Sequence, residues 1–150
     1  MEIHVLAHNV RSLWNVGSFF RTCDCFGVSK LLLSGYTGTP PRREISKTAI
    51  GAEEWIPWEY IEDEMALISD YKGKGFTVAG LECGERGTVL WDYEPHSNIL
   101  VVLGSEVLGM PEHHLNACDV ILEIPQQGKK ESLNVSVATG VLLSHLSRFL

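Results

Sequence analysis

Three stretches of this sequence set polar side chains against glycine in a way that suits a ligand better than a core. The first is Asn15-Val16-Gly17-Ser18-Phe19-Phe20-Arg21-Thr22. On a helix Gly17 and Arg21 lie four residues apart. A surface without a side chain therefore sits beside a guanidinium and leaves room for a ligand backbone. The second stretch is Leu103-Gly104-Ser105-Glu106-Val107-Leu108-Gly109, a glycine-bounded loop that carries a carboxylate. The third runs from Ile124-Pro125 through the polar loop Gln126-Gln127-Gly128-Lys129-Lys130-Glu131 into Ser132-Leu133-Asn134-Val135-Ser136-Val137-Ala138. Ser132 stands where a helix N-cap is expected, with the helix running unbroken from there to Leu150. Ser132, Asn134 and Ser136 would then crowd its first turn, where backbone N–H groups point outward and the dipole is positive. Each device is common alone. All three in this order, in 150 residues, point to a site.

Other chemistries find little support. There is no GxGxxG after the first strand and no GxxxxGK[ST]; Gly104 to Gly109 has similar spacing but no Lys behind it. No GxSxG nucleophile elbow exists. His113 and His114 are adjacent, so on a helix they diverge and make no two-histidine metal face. His4, His8, His96 and His145 read as isolated structural residues, and no metal site is expected. Cys23, Cys25, Cys83 and Cys118 show no CxxC spacing and read as reduced thiols of a cytoplasmic protein.

The elements that must position the three stretches follow from periodicity. Residues 2–7 (EIHVLA) read as a strand, 8–15 as a loop, and Asn15 or Ser18 caps a helix that Gly27 ends. The apolar runs at residues 30–34 (KLLLS), 76–81 (FTVAGL), 99–103 (ILVVL) and 120–124 (VILEI) read as strands, several of them buried on both faces. Residues 55–60 (WIPWEY) hold a proline and make an edge strand at best. Helices are expected near residues 44–50, over the acidic amphipathic segment 62–72, and after Pro111 through Leu115. Strands alternating with helices give an α/β fold, a mostly parallel sheet with helices on both faces. Ligands in such sheets sit beyond the carboxyl ends of the strands, here after Leu81, Leu103 and Ile124. The last helix is apolar almost all round, so it needs cover on more than one side, and a second subunit would supply it.

Composition is that of one ordinary globular domain, 45% apolar and 21% charged. No apolar run reaches the ~20 residues of a membrane span, and no signal peptide precedes the first strand. The net charge of −7 argues against nucleic acid binding by the whole surface. The balance is local: residues 1–50 hold six Lys/Arg against three Asp/Glu, residues 51–100 three against eleven, and residues 101–150 three against five. Any basic face must draw on Arg11, Arg21, Arg42, Arg43 and Lys47, joined by Lys129 and Lys130.

The pattern NxGxxxR, then LGSExxG, then IP…SLNVSxA resembles the SpoU-type (TrmH-like) ribose 2′-O-methyltransferases of the SPOUT superfamily, over essentially the whole chain. The resemblance implies a single domain over residues 1–150, with no separate RNA-binding extension and with the C-terminal segment threaded into a deep trefoil knot. It also implies a homodimer with the last helix at its interface. The cofactor implied is S-adenosylmethionine, held by Leu81, Glu82, Leu103, Gly104, Ser105, Gly109, Ile124 and Leu133. Arg21, Asn15, Glu106, Ser132 and Asn134 match the catalytic and substrate-side positions. Gln126 and Val107 depart from the usual pattern, where a Met and a small residue stand. The substrate implied is RNA, tRNA ahead of rRNA, gripped by Arg11, Arg42, Arg43, Lys129 and Lys130. Rival readings are methylation of a base nitrogen and a knotted dimer that binds RNA without transfer.

Overall fold

The computed structural model describes residues 1–84 and 86–150. The chain runs β1 (Ile3–His8), α1 (Leu13–Cys25), β2 (Lys30–Ser34), α2 (Arg43–Ala49), β3 (Trp58–Ile61), α3 (Glu64–Gly73), β4 (Thr77–Leu81), β5 (Thr88–Val89), β6 (Ile99–Leu103), α4 (Glu112–Ala117), β7 (Val120–Glu123) and α5 (Val135–Leu146). The seven strands form one sheet in the order β3-β2-β1-β6-β4-β7-β5, and every ladder is parallel. Central β6 is buried at all five positions, as a parallel strand covered on both faces must be.

Alternation along the strands divides the core between two helical layers. Ile3, Val5 and Ala7 of β1, with Leu31, Leu33, Val101 and Leu103, pack against α1, α2 and α5 through Phe19, Phe20, Ile45, Leu142 and Leu146. Leu6, Leu32, Val78, Leu100 and Val102 point the other way, to Ile68 and Tyr71 of α3 and to Leu115 of α4. Each such side chain is worth roughly 1.5–3 kcal/mol of burial. No helix among the described residues is long and apolar enough to cross a membrane.

The structure moves several sequence-predicted boundaries. Helix α1 starts at Leu13, not at Asn15 or Ser18: Ser12 caps it, its Oγ accepting from Asn15 N at 3.2 Å. Gly27 does end the helix, at φ +70°, with Val28 N reaching back to Cys23 O. Helix α5 starts at Val135 rather than Ser132, because Asn134 is its cap; it stops at Leu146, and a 3-10 turn over Ser147–Phe149 follows. Ser132 and Leu133 are left in the preceding segment. Edge strand β3 begins after the proline of WIPWEY. Strand β5 and the 3-10 turn Leu90–Asp92 lie between the apolar runs of β4 and β6, where no element is expected from periodicity.

Candidate functional site

The loops after β4, β6 and β7 converge with the segment before α5 on a cleft of about 420 Å³. Leu81, Glu82 and Cys83 line it from β4; Leu103, Gly104, Ser105, Glu106, Val107 and Gly109 from β6; Ile124 and Gln126 from β7. Ser132, Leu133, Asn134, Val135 and Ala138 close it from the α5 side. All eight residues expected on the cofactor side therefore share one wall system. Val107 and Gln126, the two departures from the usual pattern, line it as well. Cys83, Val135 and Ala138 join them unpredicted; each stands within a motif loop or helix mouth, and that adjacency was the only signal for them.

The loop after β6 is held in shape from two sides. Ser105 and Gly109 exchange backbone hydrogen bonds at 3.1 and 3.0 Å, and Ser105 Oγ accepts from Val107 N and Leu108 N. Gly109 sits at φ +67°, and a Cβ on Gly104 would collide with the Gly109 and Met110 backbone. Glu82 secures the far side of the loop: one oxygen accepts from Met110 N at 2.8 Å and the other from Cys83 N at 2.9 Å. Glu106 secures the near side, and does so across the sheet. Its carboxylate accepts from Arg11 N at 3.0 Å, Ser12 N at 2.9 Å and Asn15 Nδ2 at 3.2 Å. Burial pushes the Glu106 carboxyl up, but the N–H groups of Ser12, Arg11 and Glu106 itself and the Asn15 amide outweigh it, so the group lies below its ordinary pKa. A fixed negative charge thus sits at the N-terminus of α1, where the helix dipole favours it. Asn15 is drawn inward by this bond and is nearly buried.

Asn134 does a similar job for α5. Its Oδ1 accepts from Ser136 N at 2.9 Å, Ser136 Oγ at 2.6 Å and Val137 N at 3.4 Å. Its amide nitrogen has no partner among the described residues.

The cations are placed differently. Arg21 is exposed on α1 and does not line the cleft of its own chain. It shares a helical stripe with exposed Trp14 and half-buried Ser18. Arg11, Arg42, Arg43, Lys129 and Lys130 are all exposed; Arg42 Nε lies 4.0 Å from Glu44 Oε2. Next to the Arg21 stripe, exposed parts of α1 and α5 form a shallow groove of about 600 Å³ floored by Thr22, Phe26, Val137, Gly140 and Val141 and edged by Trp91 and Arg148.

Of the histidines read as isolated, His4 and His145 hydrogen-bond Tyr71 Oη and Tyr93 O, but His8 is not isolated. His8, Glu64 and His114 meet on the α3/α4 side of the sheet, their ligand-type atoms within 4.8 Å of one another. His114 Nε2 lies 3.2 Å from Glu64 Oε1, and His8 Nδ1 lies 2.8 Å from Ser34 Oγ. Burial lowers the pKa of both imidazoles; Glu64 opposes this and His113 adds to it.

The family model described as the SpoU rRNA Methylase family matches residues 2–144. A mouse tRNA (guanosine(18)-2′-O)-methyltransferase, TARBP1, is 32% identical over 96% of this chain and 9% of its own length. An uncharacterized tRNA/rRNA methyltransferase of Mycobacterium avium is 33% identical over 96% of this chain and 46% of its own. This chain thus spans half or less of these relatives. The crystal structure of an AdoMet-bound rRNA methyltransferase from Sinorhizobium meliloti superposes with a TM-score of 0.92 at 27% identity, over 99% of this chain and 57% of that one. With its parallel sheet, its three strand-end loops and its motifs NxGxxxR, LGSExxG and SLNVSxA in place, the chain belongs to the SpoU rRNA Methylase family.

Proposed function

We propose that this chain transfers a methyl group from S-adenosylmethionine to a ribose 2′-hydroxyl of RNA, with tRNA as its first candidate substrate. The observation that carries the reading is the single cleft built by three strand-end loops, with Glu106 tying its loop to the helix that bears Arg21. A superposed relative holds the same donor, and the mouse relative is named for a tRNA ribose position.

The lining suits the donor. Leu81, Leu103, Ile124, Leu133, Val135 and Ala138 offer apolar surface for a flat ring, and the loop backbones offer donors and acceptors for an adenine edge. When bound, S-adenosylmethionine supplies a methyl group made electrophilic by its sulfonium. Glu82 acts by holding the loop rather than by touching the reacting atoms, and Glu106 does the same while orienting Asn15. Asn134 spends its carbonyl on the α5 cap and keeps its amide for an acceptor on the substrate. The ribose oxygen gains negative charge as it attacks, and its proton leaves to a nearby phosphate. Arg21 stabilises that charge: a guanidinium offers only donors and has no free acceptor to act as base. Arg21→Lys should lower the rate at every pH without removing an ionisation limb; loss of a limb would assign Arg21 the base role instead.

Because Arg21 lies outside its own cleft, a homodimer is part of this reading. A second copy of the chain covers the α1/α5 groove and sets the guanidinium of one protomer at the cleft of the other. The trefoil knot of the C-terminal segment also belongs to this reading. Incubation with labelled donor and unmodified tRNA, followed by alkaline hydrolysis, tests the reaction, because a 2′-O-methyl ribose protects its phosphodiester. Alkali-resistant labelled dinucleotides are expected. Label on mononucleotides would indicate base methylation, and donor binding without any transfer would indicate an RNA-binding relic.

A further inference from the structure

Trp14 occupies the first turn of α1, immediately before Asn15, yet the residue is 47% exposed. Leaving so large an apolar ring in water forgoes burial that the chain secures for Phe19 and Phe20 on the same helix. The backbone that carries the ring is nonetheless held in place. Thr48 Oγ1 donates to Trp14 O at 2.8 Å, and Gly17 lets α2 press against α1, since a Cβ there would collide with Ile45 O and Thr48 Oγ1. This docking brings Lys47 Nζ to 5.6 Å from the indole centroid. Arg43 lies four residues before Lys47, on the same side of α2. Among the described residues neither Arg43 nor Lys47 has a carboxylate within 4.0 Å, in a protein whose net charge is −7. Trp14 also shares its stripe with Arg21, seven residues and roughly 10 Å further along the helix.

An exposed indole with an unpaired ammonium over its face fits one partner chemistry well: a nucleobase that stacks, with a phosphate attached to it. We propose that Trp14, Lys47 and Arg43 form a nucleotide subsite, in which the indole stacks on an unpaired base neighbouring the methylated nucleotide and the two cations take its phosphate. The subsite rests on the ribose-methyltransferase reading for its place beside the target. Its chemistry is its own. Stacking tolerates any base but requires one that is splayed from a duplex, so the substrate segment is a loop or single strand.

The test uses the full chain and two probes: a short mixed-sequence single-stranded oligoribonucleotide and the duplex it forms with its complement. Affinity is read by fluorescence anisotropy. Trp14→Ala should weaken single-strand binding by about 5- to 150-fold. Trp14→Phe should keep most of it, and Lys47→Gln should reduce the salt slope by about one. Donor affinity and sedimentation should not change in any variant. The subsite is overturned if the wild type does not bind the single strand, if Trp14→Ala binds it as well as the wild type, or if Trp14→Ala changes the oligomeric state, which would make the indole an interface residue. Because binding is read apart from transfer, wild-type binding without methylation would sink the functional reading and leave the subsite standing. Methylation with a silent Trp14→Ala would do the reverse.

Discussion

Two polar clusters lie near the carboxyl edge of the sheet, on opposite faces of β1, and they do opposite things with the same kinds of atoms. On the α1 side, Glu106 gathers the N–H groups of Arg11 and Ser12 and the Asn15 amide, next to an open cleft. On the α3/α4 side, His114 Nε2 pairs with Glu64 Oε1 and His8 Nδ1 with Ser34 Oγ, and both imidazoles are buried. The first cluster is a frame: a carboxylate fixes backbone so that neighbouring groups can face a ligand. The second is a cluster of side chains that partner one another only in part. His8 Nδ1 and His114 Nε2 lie 3.8 and 3.2 Å from the same Glu64 oxygen, spacing that would admit a cation. His114 Nδ1, however, is buried without a partner. The carboxylate of the first cluster is satisfied and borders an open cleft, whereas the second keeps a buried ring nitrogen unpaired.

The difference can be broken most severely at Gly104. Gly104→Ala drives a methyl into the Gly109–Met110 backbone and displaces the whole loop. Loss of about 100-fold or more in kcat/KM is expected, the scale of a displaced site, with far-ultraviolet circular dichroism unchanged. Glu106→Gln comes next. It removes the charge that holds three donors, and charge-assisted hydrogen bonds of about 1.5–3 kcal/mol translate to roughly 10- to 150-fold in kcat/KM if all of it is expressed in loop geometry. Thermal stability should fall with it, because the strand-end loop and the α1 N-terminus lose their tie. Asn134→Ala removes the α5 cap, which costs about 1 kcal/mol and lowers Tm by about 2–4 °C.

The smallest effect separates the clusters by pH. His8 and His114 have folded pKa values below their ordinary 6.5, so protonation favours the unfolded chain. Stability from this side is complete above about pH 6.5 and is lost as pH falls below it. Glu64 and Glu106 lie below their ordinary 4.5, with burial opposing and hydrogen bonds prevailing, so their contribution is lost only as pH falls further, through 4.5 and under it. His114→Gln keeps a donor for Glu64 and cannot titrate. Thermal melts between pH 7 and pH 5 should therefore flatten in this variant, while methyl transfer at neutral pH stays at the wild-type rate. A loss of transfer would mean that the buried cluster serves the reaction.

Much of the fold was legible because parallel strands buried on both faces announce themselves as apolar runs: residues 30–34 and 99–103 match β2 and β6. The three strand-end loops were legible for the same reason. What stayed hidden is non-local. Asn15 looked like a cap because an Asn before a helix usually is one, but its amide is engaged by Glu106, 91 residues away, and Ser12 takes the cap. Ser132 has the residue type and place of the α5 cap, but Asn134, at φ −53° and ψ 138°, takes it through its own side chain. The His8–Glu64–His114 cluster joins three elements, the last two 50 positions apart, and no spacing rule reaches that far. Strand β5 is two residues long and exists by pairing with β7 alone. Nor could the sequence place Arg21 outside its own cleft, since a helix motif gives the face a residue occupies but not which face meets the sheet edge.

The central claim is that the cleft serves transfer to a ribose oxygen, and nucleoside mass spectrometry of small RNA from cells with and without this gene tests it most directly. A 2′-O-methyl nucleoside should disappear in the deletion, return with the wild-type chain, and fail to return with Gly104→Ala. An unchanged set of 2′-O-methyl nucleosides together with the loss of a base-methylated one would contradict it.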